Sequence, residues 1–313
     1  MSKKILPVAF LALFAFGAWL SAEPTPHANF TFPVHPQGVP EPGTFPAEWI
    51  AGNNCDTDPA IQVHAYNDDF YILRQSKCNH FEGPFMYLIF GEERALLLDT
   101  GSINNPPVAE VVCGVVRQWQ ADNDIYPYEL VVAHSHGHFD HIANDSQFIG
   151  LDNVTVVGVG IEEVRDFFGI DNWPHQVVSY DLGNRLIDII PTPGHLFNCI
   201  TIYDPRTQIL LTGDMLYPGF IFLFQPDTWD TFSASVGRLV LYTAQNPVEW
   251  ILGCHIEISD TPGVLYPYGT PAHPDERELQ LDRSHLLELN DAVKLGPANT
   301  VLADFAIDPF WIP

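Results

Sequence analysis

Basic side chains are what this sequence most lacks. Lysine and arginine together number 13 against 39 aspartates and glutamates, a formal charge of −26 over 313 residues. Nucleic-acid binding needs a basic footprint, so this balance argues against it. Polyanionic substrates and anionic membranes are disfavoured for the same reason, and small neutral substrates fit best. Cysteines are few, and their count, five, is odd. Cys55 and Cys78 flank the first strand region and could pair in an oxidising compartment. Cys113, Cys199 and Cys254 lie in apolar surroundings and read as buried thiols. Long apolar runs are also scarce. The longest candidate, Ile5 to Leu20, covers 16 residues, short of the roughly 20 that span a bilayer as an anchor. With Lys3 and Lys4 before it and Ser21-Ala22 after it, residues 1–22 read as a secretory signal. No cysteine stands near the cut to carry a lipid. The expectation is an exported protein, periplasmic or secreted, with no stable membrane insertion after cleavage.

The remaining chain of about 290 residues suffices for one large domain or two small ones. Residues 23–50 carry seven prolines and little periodic hydrophobicity, so they read as a linker or an extended arm laid over the domain. Residues 51–265 alternate short apolar runs with turn signals. Strands are expected at Ile61–His64, Phe70–Leu73, Met86–Phe90, Ala95–Leu98, Leu130–Ala133 and Val154–Val159. Further strands are expected at Gln176–Tyr180, Leu186–Ile190, Cys199–Tyr203, Ile209–Leu211 and Trp250–Leu252. Helical periodicity marks Pro107–Trp119, Ile161–Phe168 and Thr228–Gln245. Sheets with interspersed helices in two comparable halves indicate a layered α/β domain, although no repeat is strong enough to assert duplication. Residues 266–313 form an extension and a possible cap over the substrate pocket. There Ser284 can cap a helix, and Leu302, Phe305, Phe310 and Trp311 read as a closing segment.

Histidine is abundant in one place. His134-Ser135-His136-Gly137-His138-Phe139-Asp140-His141 packs four imidazoles and a carboxylate behind the apolar run Leu130–Ala133. Imidazole with carboxylate suits zinc and related divalent cations, and so dense a group would repel or stay unsatisfied without one. Three further candidates, His195, Asp214 and His255, each end or follow a strand-like run. Cys254 adjoins His255, but neighbouring side chains on a strand point to opposite faces, which argues against a shared ligand role.

The motif His136-x-His138-x-Asp140-His141, followed by His195, Asp214 and His255, and preceded by Asp99 in Leu97-Leu98-Asp99-Thr100-Gly101, resembles the metallo-β-lactamase superfamily. The resemblance covers roughly residues 60–260. It implies an α/β (α+β) fold, a four-layer αββα sandwich with metals at one edge of its two sheets. It implies His136, His138 and His195 as ligands of a first metal and Asp140, His141 and His255 as ligands of a second. Asp214 would bridge the two, and Asp99 would orient the ligand histidines. The cofactor would be two zinc ions, although the same ligands accept iron or manganese. Such a pair can share a hydroxide, its pKa drawn toward ~7, to attack an acyl carbon. Asp140 thus joins the catalytic group, and Ser135 is not needed as a nucleophile. His134 lies outside the pattern and reads as a strand-end residue bonded to backbone.

A bridging aspartate at position 214 separates the chain from the true metallo-β-lactamases and resembles the lactonase and glyoxalase II branches. Glyoxalase II-like enzymes hold an anionic glutathione moiety with basic residues toward the C-terminus; here Arg277, Arg283 and Lys294 are the only cations after Arg238. Tyr217 matches a lactonase tyrosine that can donate to the carbonyl oxygen or its oxyanion. Tyr217–Phe224 could line an apolar acyl groove, with Tyr266, Tyr268 and His273 opposite. The expectation is an exported dinuclear metal-dependent hydrolase of a lactone or carboxylic ester. The alternatives are a β-lactamase, a thioester hydrolase, or a catalytically idle metal-binding module. No flavin-binding second domain is recognisable to support redox chemistry with iron.

Overall fold

Strands apolar on both faces at the centre, and alternating apolar with polar at the edges, build two stacked sheets. A computed structural model describes residues 30–224 and 228–309; the signal-like residues 1–22 and the closing aromatics Phe310 and Trp311 lie outside them. The first half contributes β1 (Ile61–Asn67), β2 (Phe70–Gln75), β3 (Phe85–Phe90) and β4 (Arg94–Leu98), then helix α1 (Val108–Asn123) and β5 (Glu129–Ala133). The short helix α2 (Phe139–Ile142) and strand β6 (Val154–Val156) follow. These six strands form one sheet in sequence order, antiparallel from β1 to β4 and parallel from β4 to β6. After α3 (Ile161–Phe168) come β7 (Val178–Asp181), β8 (Leu186–Pro191), β9 (Ile200–Asp204), β10 (Ile209–Gly213), β11 (Phe220–Phe222), α4 (Trp229–Thr243) and β12 (Trp250–Gly253). The second sheet runs β12-β10-β9-β8-β7, with only the β10–β12 pair parallel.

The period-two alternation of side chains sorts residues into layers. From β4 and β5, Leu96, Leu98, Val131 and Ala133 join Ile189, Ile202 and Leu211 of the second sheet in the central core. Their neighbours Ala95, Leu97, Leu130 and Val132 face outward and pack on Val108, Val112, Val116 and Trp119 of α1. On the other side Ile190, Tyr203, Leu210 and Ile251 pack on Phe232, Val236 and Leu239 of α4, and on Leu286 and Leu289. The result is helix, sheet, sheet, helix: the expected four layers.

The described part of the arm begins along the outer face of the second half and then crosses to β1, where Phe45 and Trp49 pack on the central core beside Tyr66 and Phe85. Phe30 and Phe32 pack into the outer core, with the Phe32 and Tyr242 rings 5.5 Å apart. His35 Nε2 meets Asp188 Oδ2 at 2.7 Å. Cys55 and Cys78 are joined by a disulfide across 23 positions, with Cα atoms 5.4 Å apart. It ties the stretch before β1 to the loop after β2.

The tail departs from expectation in two ways. Helix α5 (Arg283–Lys294) is capped not by Ser284 but by Asp282, whose carboxylate accepts the Ser284 N–H at 2.8 Å. The closing residues form two short strands, β13 (Thr300–Val301) and β14 (Ala306–Asp308), and β14 pairs with β11 in a third small sheet. The extension is thereby built into the outer core and holds the segment that walls the cleft described below. No helix among the described residues is long and apolar enough to cross a membrane.

Candidate metal centre

Five strands deliver the motif residues to one edge of the sandwich. Asp99 follows β4, His134 to His141 follow β5, His195 follows β8, Asp214 follows β10 and His255 follows β12. The parallel register Leu98↔Ala133 and the bond from Asp99 N to Ala133 O, 2.8 Å, bring the first two loops together. Asp99 has φ of 69°, a left-handed conformation that an aspartate holds at some cost, and such strain clusters at functional sites. The two sheets' loops touch where Gly213, at φ of 54°, leaves no room for a side chain: a Cβ there would sit 2.7 Å from Ser135 Cβ.

Two groups of donors result. In the first, His138 Nδ1 lies 2.9 Å from His136 Nε2 and 2.8 Å from His195 Nε2, while Asp214 Oδ2 stands 3.8 Å from His136 and 3.5 Å from His195. In the second, Asp140 Oδ2 lies 3.3 Å from both His141 Nε2 and His255 Nε2, and Asp214 Oδ1 is 3.5 Å from His255 Nε2. Within each group every donor atom lies within 4.8 Å of the others. Asp214 belongs to both groups. His141 Nε2 and Asp214 Oδ1 are buried with no hydrogen-bond partner among the described residues. Buried polar atoms are seldom left so, and the donor chemistry fits divalent cations. The residues present therefore fit the group that the motif implies.

Four of the five histidines are tied from behind. His141 Nδ1 meets Asp99 Oδ2 at 2.9 Å, His195 Nδ1 meets the Phe222 carbonyl at 2.8 Å, His136 Nδ1 is 3.1 Å from Ser135 Oγ, and His255 Nδ1 is 3.4 Å from the Glu82 carbonyl. Asp99 also accepts the Ser135 N–H and hydroxyl at 2.7 and 2.8 Å and the Cys254 thiol at 3.3 Å. Cys254 thus points behind the site, and burial pushes its thiol well above the usual range, so it stays protonated. Replacing Asp99 with asparagine is expected to weaken metal binding ~10–100-fold, the usual cost of losing an orienting group. Metal titration of the apoprotein checks this, and affinity within twofold of the parent would remove Asp99 from the role.

Electrostatics divides the two groups. Burial lowers His136, His138 and His195, with His138 reaching about 4, so these imidazoles are neutral and ready to bind a cation. In the second group burial opposes charge, yet Asp140, Asp99 and Asp214 hold His141 well above its ordinary value. Against the same burial, Asp214 and Asp140 lift His255 to about 9. The same carboxylates that raise these imidazoles would favour a cation among them. Burial likewise works against ionised Asp214, but His255 and His141 hold it below the carboxylate range.

A cleft of about 220 Å³ opens on both groups. Beyond the metal-ligand candidates it is lined by Glu82, Phe139, Phe222, Phe224, Glu257 and Tyr268, and by Tyr217. The Tyr217 ring lies 5.4 Å from that of His255, but its hydroxyl donates to the Phe220 carbonyl, with Glu257 Oε2 at 3.5 Å. Of the expected opposite wall only Tyr268 lines the cleft. Tyr266 and His273 stack on each other 4.0 Å apart, and His273 Nδ1 meets Glu276 and the Ile256 carbonyl, so this pair staples the tail. His134 lies outside both donor groups, and its Nε2 pairs with Asp145 Oδ1 at 2.9 Å rather than with backbone.

Sequence reasoning missed Glu82, Glu257 and Phe139. Burial, with Asp140, Glu257 and Asp214 adding to it, raises Glu82 to about 7. Burial also raises Glu257, which accepts the Phe220 N–H at 3.1 Å.

A family model described as the metallo-beta-lactamase superfamily matches residues 81–295. Hydroxyacylglutathione hydrolase of Brucella anthropi is 26% identical over 119 residues, covering 38% of this chain and 42% of that protein. The Rhizobium meliloti enzyme of the same name is 27% identical over 143 residues, covering 45% and 52%. The chain therefore spans about half the length of these two relatives. The human acyl-coenzyme A thioesterase MBLAC2 is 24% identical over 205 residues, covering 54% of this chain and 72% of that one. The crystal structure of DIM-1 metallo-beta-lactamase superposes with a TM-score of 0.50 at 12% identity, over 76% of this chain and 98% of that one, a likeness of fold.

Proposed function

The chain belongs to the metallo-beta-lactamase superfamily, and on that premise we propose that it is an exported hydrolase with two divalent cations, zinc in first place, that cleaves a lactone or carboxylic ester in a substrate without anionic groups. The observation that carries the substrate class is the cleft wall: aromatic rings and two carboxylates surround the donor groups, with no lysine or arginine among the described lining residues.

In this reading His136, His138 and His195 would hold one cation and Asp140, His141 and His255 the other, with Asp214 common to both donor groups. Cations held there supply Lewis acidity for a carbonyl oxygen and a water acidified toward pKa ~7. Asp99, Ser135 and the Phe222 carbonyl fix the imidazole orientations. Phe139, Phe222 and Phe224 exclude water from the bound acyl group, which strengthens every charge interaction inside. Tyr217 serves as a donor to the substrate oxygen only once its hydroxyl leaves the Phe220 carbonyl. The Cys55–Cys78 bridge supports export, because such bonds persist in oxidising compartments.

A thioester reading has one specific support, the names of the hydroxyacylglutathione hydrolases and the acyl-coenzyme A thioesterase among its relatives. An anionic carrier would meet Glu82 and Glu257 instead of cations, so we rank it second. The test is metal analysis of the purified protein with a panel of substrates: an acyl-homoserine lactone, an aryl ester, a cephalosporin, a glutathione thioester and an aryl phosphodiester. About two metals per chain and chelator-sensitive turnover of lactone or ester above the rest is the expected result. Faster thioester or cephalosporin turnover would replace the substrate class. Two metals with no turnover would favour an idle metal-binding module, and metal-free protein would end the proposal.

A further inference from the structure

Behind the first donor group, two buried side-chain atoms make no hydrogen bond among the described residues: His134 Nδ1 and Asn198 Oδ1. His134 is 5% exposed, and its Nε2 lies 2.9 Å from Asp145 Oδ1. A carboxylate oxygen accepts, so Nε2 carries the ring hydrogen and Nδ1 is left as an acceptor. Asn198 directs its Nδ2 to the Val159 carbonyl at 2.6 Å, which leaves Oδ1 as a second acceptor. Both residues line one small cavity, with His136, Val157, Gly158 and Ile200 beside them, and its volume is about 10 Å³. That is room for a single water molecule. Two acceptors cannot satisfy each other, and buried polar atoms seldom go unpaired. A water has two O–H donors to offer them.

We infer that one ordered water sits between His134 Nδ1 and Asn198 Oδ1, donates to both, and sets the distance between the ligand loops of the two sheets. His134 opens the loop after β5 that carries His136 and His138, and Asn198 lies just past His195 in the loop after β8. The first donor group takes its imidazoles from these two loops, with His138 Nδ1 2.8 Å from His195 Nε2. The spacing of the loops is therefore the spacing of its donors. One backbone bond, Ile200 N to Ser135 O at 2.8 Å, joins the loops directly, and a second tie is needed to stop rotation about it. Asn198 also sits close against the ligand loop, because a Cβ on Gly137 would lie 2.9 Å from its Nδ2. The second group draws Asp140 and His141 from the loop after β5 and His255 from the end of β12. The water does not span that gap. His134 and Asn198 are thus positioning residues for the first group.

The first test is a crystal structure of the full chain at a resolution that shows ordered waters. The expected result is one spherical density peak about 2.7–3.2 Å from both His134 Nδ1 and Asn198 Oδ1. An empty cavity, or side chains turned to bond elsewhere, overturns the inference. The positioning role is read by zinc titration of the apoprotein, with anomalous scattering from crystals grown at limiting zinc to assign each loss to a donor group. Asn198→Leu keeps the bulk and removes one acceptor. It is expected to weaken the first cation about tenfold, the lower end for losing an outer support of a metal site, and to leave the second within about twofold. His134→Phe keeps a ring, removes the other acceptor and leaves the Asn198 bond to Val159 in place. The same selective loss in both variants separates the water from the other bonds each one breaks. Loss in only one variant, equal loss of both cations, or no loss overturns the positioning role. That role rests on the two-cation reading: protein that binds no metal ends the reading, while the density peak still decides the water.

Discussion

Asp214→Asn is expected to lower kcat/KM at least ~100-fold and to leave fewer than two metals per chain. The bound follows from geometry. Loss of an outer orienting group costs ~10–100-fold in metal affinity or activity, and Asp214 stands inside both donor groups, 3.5 Å from His195 Nε2 through one oxygen and 3.5 Å from His255 Nε2 through the other. Asparagine keeps the shape and removes the charge, so on the proposed reading both donor groups would lose their shared anion at once. Metal quantification with steady-state kinetics on the best substrate of the panel reads both effects. Circular dichroism shows whether the sandwich persists, as it should, because Asp214 lies at the rim of the sheets. Two tightly held metals with activity within tenfold of the parent would mean that Asp214 does not join the two sites.

The layers and the donor set were legible because each left a sequence signal tied to a physical cause. A strand buried on both faces must be apolar throughout, and Leu130–Ala133 and Ile209–Leu211 are. Helix α3 spans Ile161–Phe168, the segment expected, because Gly160 and Gly169 punctuate an amphipathic run. Ligands at strand ends announce themselves as polar residues directly after apolar runs. What failed to show was set by contacts distant in sequence. His134 reads as a strand-end residue from its neighbours, yet its Nε2 pairs with Asp145 in a later turn. Ser284 and Asp282 both suit a cap; the extended backbone of Asp282 decides between them. Glu82 sits in a loop with no periodicity before β3, so only folding reveals that it faces the cleft. Glu257 carried a usable signal: two residues after His255 in an extended segment, its side chain falls on the same face.

Asp204→Asn is expected to destabilise the fold by about 3 kcal/mol, the lower end for breaking a buried ion pair, and to lower Tm by roughly 6–12 °C at this size. Arg185 and Asp204 are each no more than 1% exposed. The guanidinium grips the carboxylate twice, Nε to Oδ1 at 3.2 Å and Nη2 to Oδ2 at 2.6 Å, and its Nη1 donates to the Asp69 and Phe90 carbonyls at 3.0 and 2.9 Å. Arg185 directly precedes β8 and Asp204 ends β9, whereas Phe90 ends β3 of the other sheet, so one guanidinium pins the two sheets at the edge away from the metal centre. Removing the carboxylate's charge leaves a buried cation with carbonyls alone. Burial works against ionised Asp204, but Arg185 outweighs it and holds its pKa below the ordinary value. A depressed folded pKa gives stability that is fully present above the unfolded value of about 3.9 and is lost as pH falls through the folded one. The Tm gap between parent and Asp204→Asn should therefore be full at pH 7 and close in strong acid. At low temperature, with the chain still folded, its kcat/KM should stay within about twofold of the parent, because the charge it removes lies at the opposite edge from the donors. A Tm gap under about 2 °C at pH 7 would show that the pin contributes little beyond the carbonyl contacts. Asp214 and Asp204 thus make opposite forecasts for two buried aspartates of one sheet, activity lost with the fold kept and stability lost with the chemistry kept.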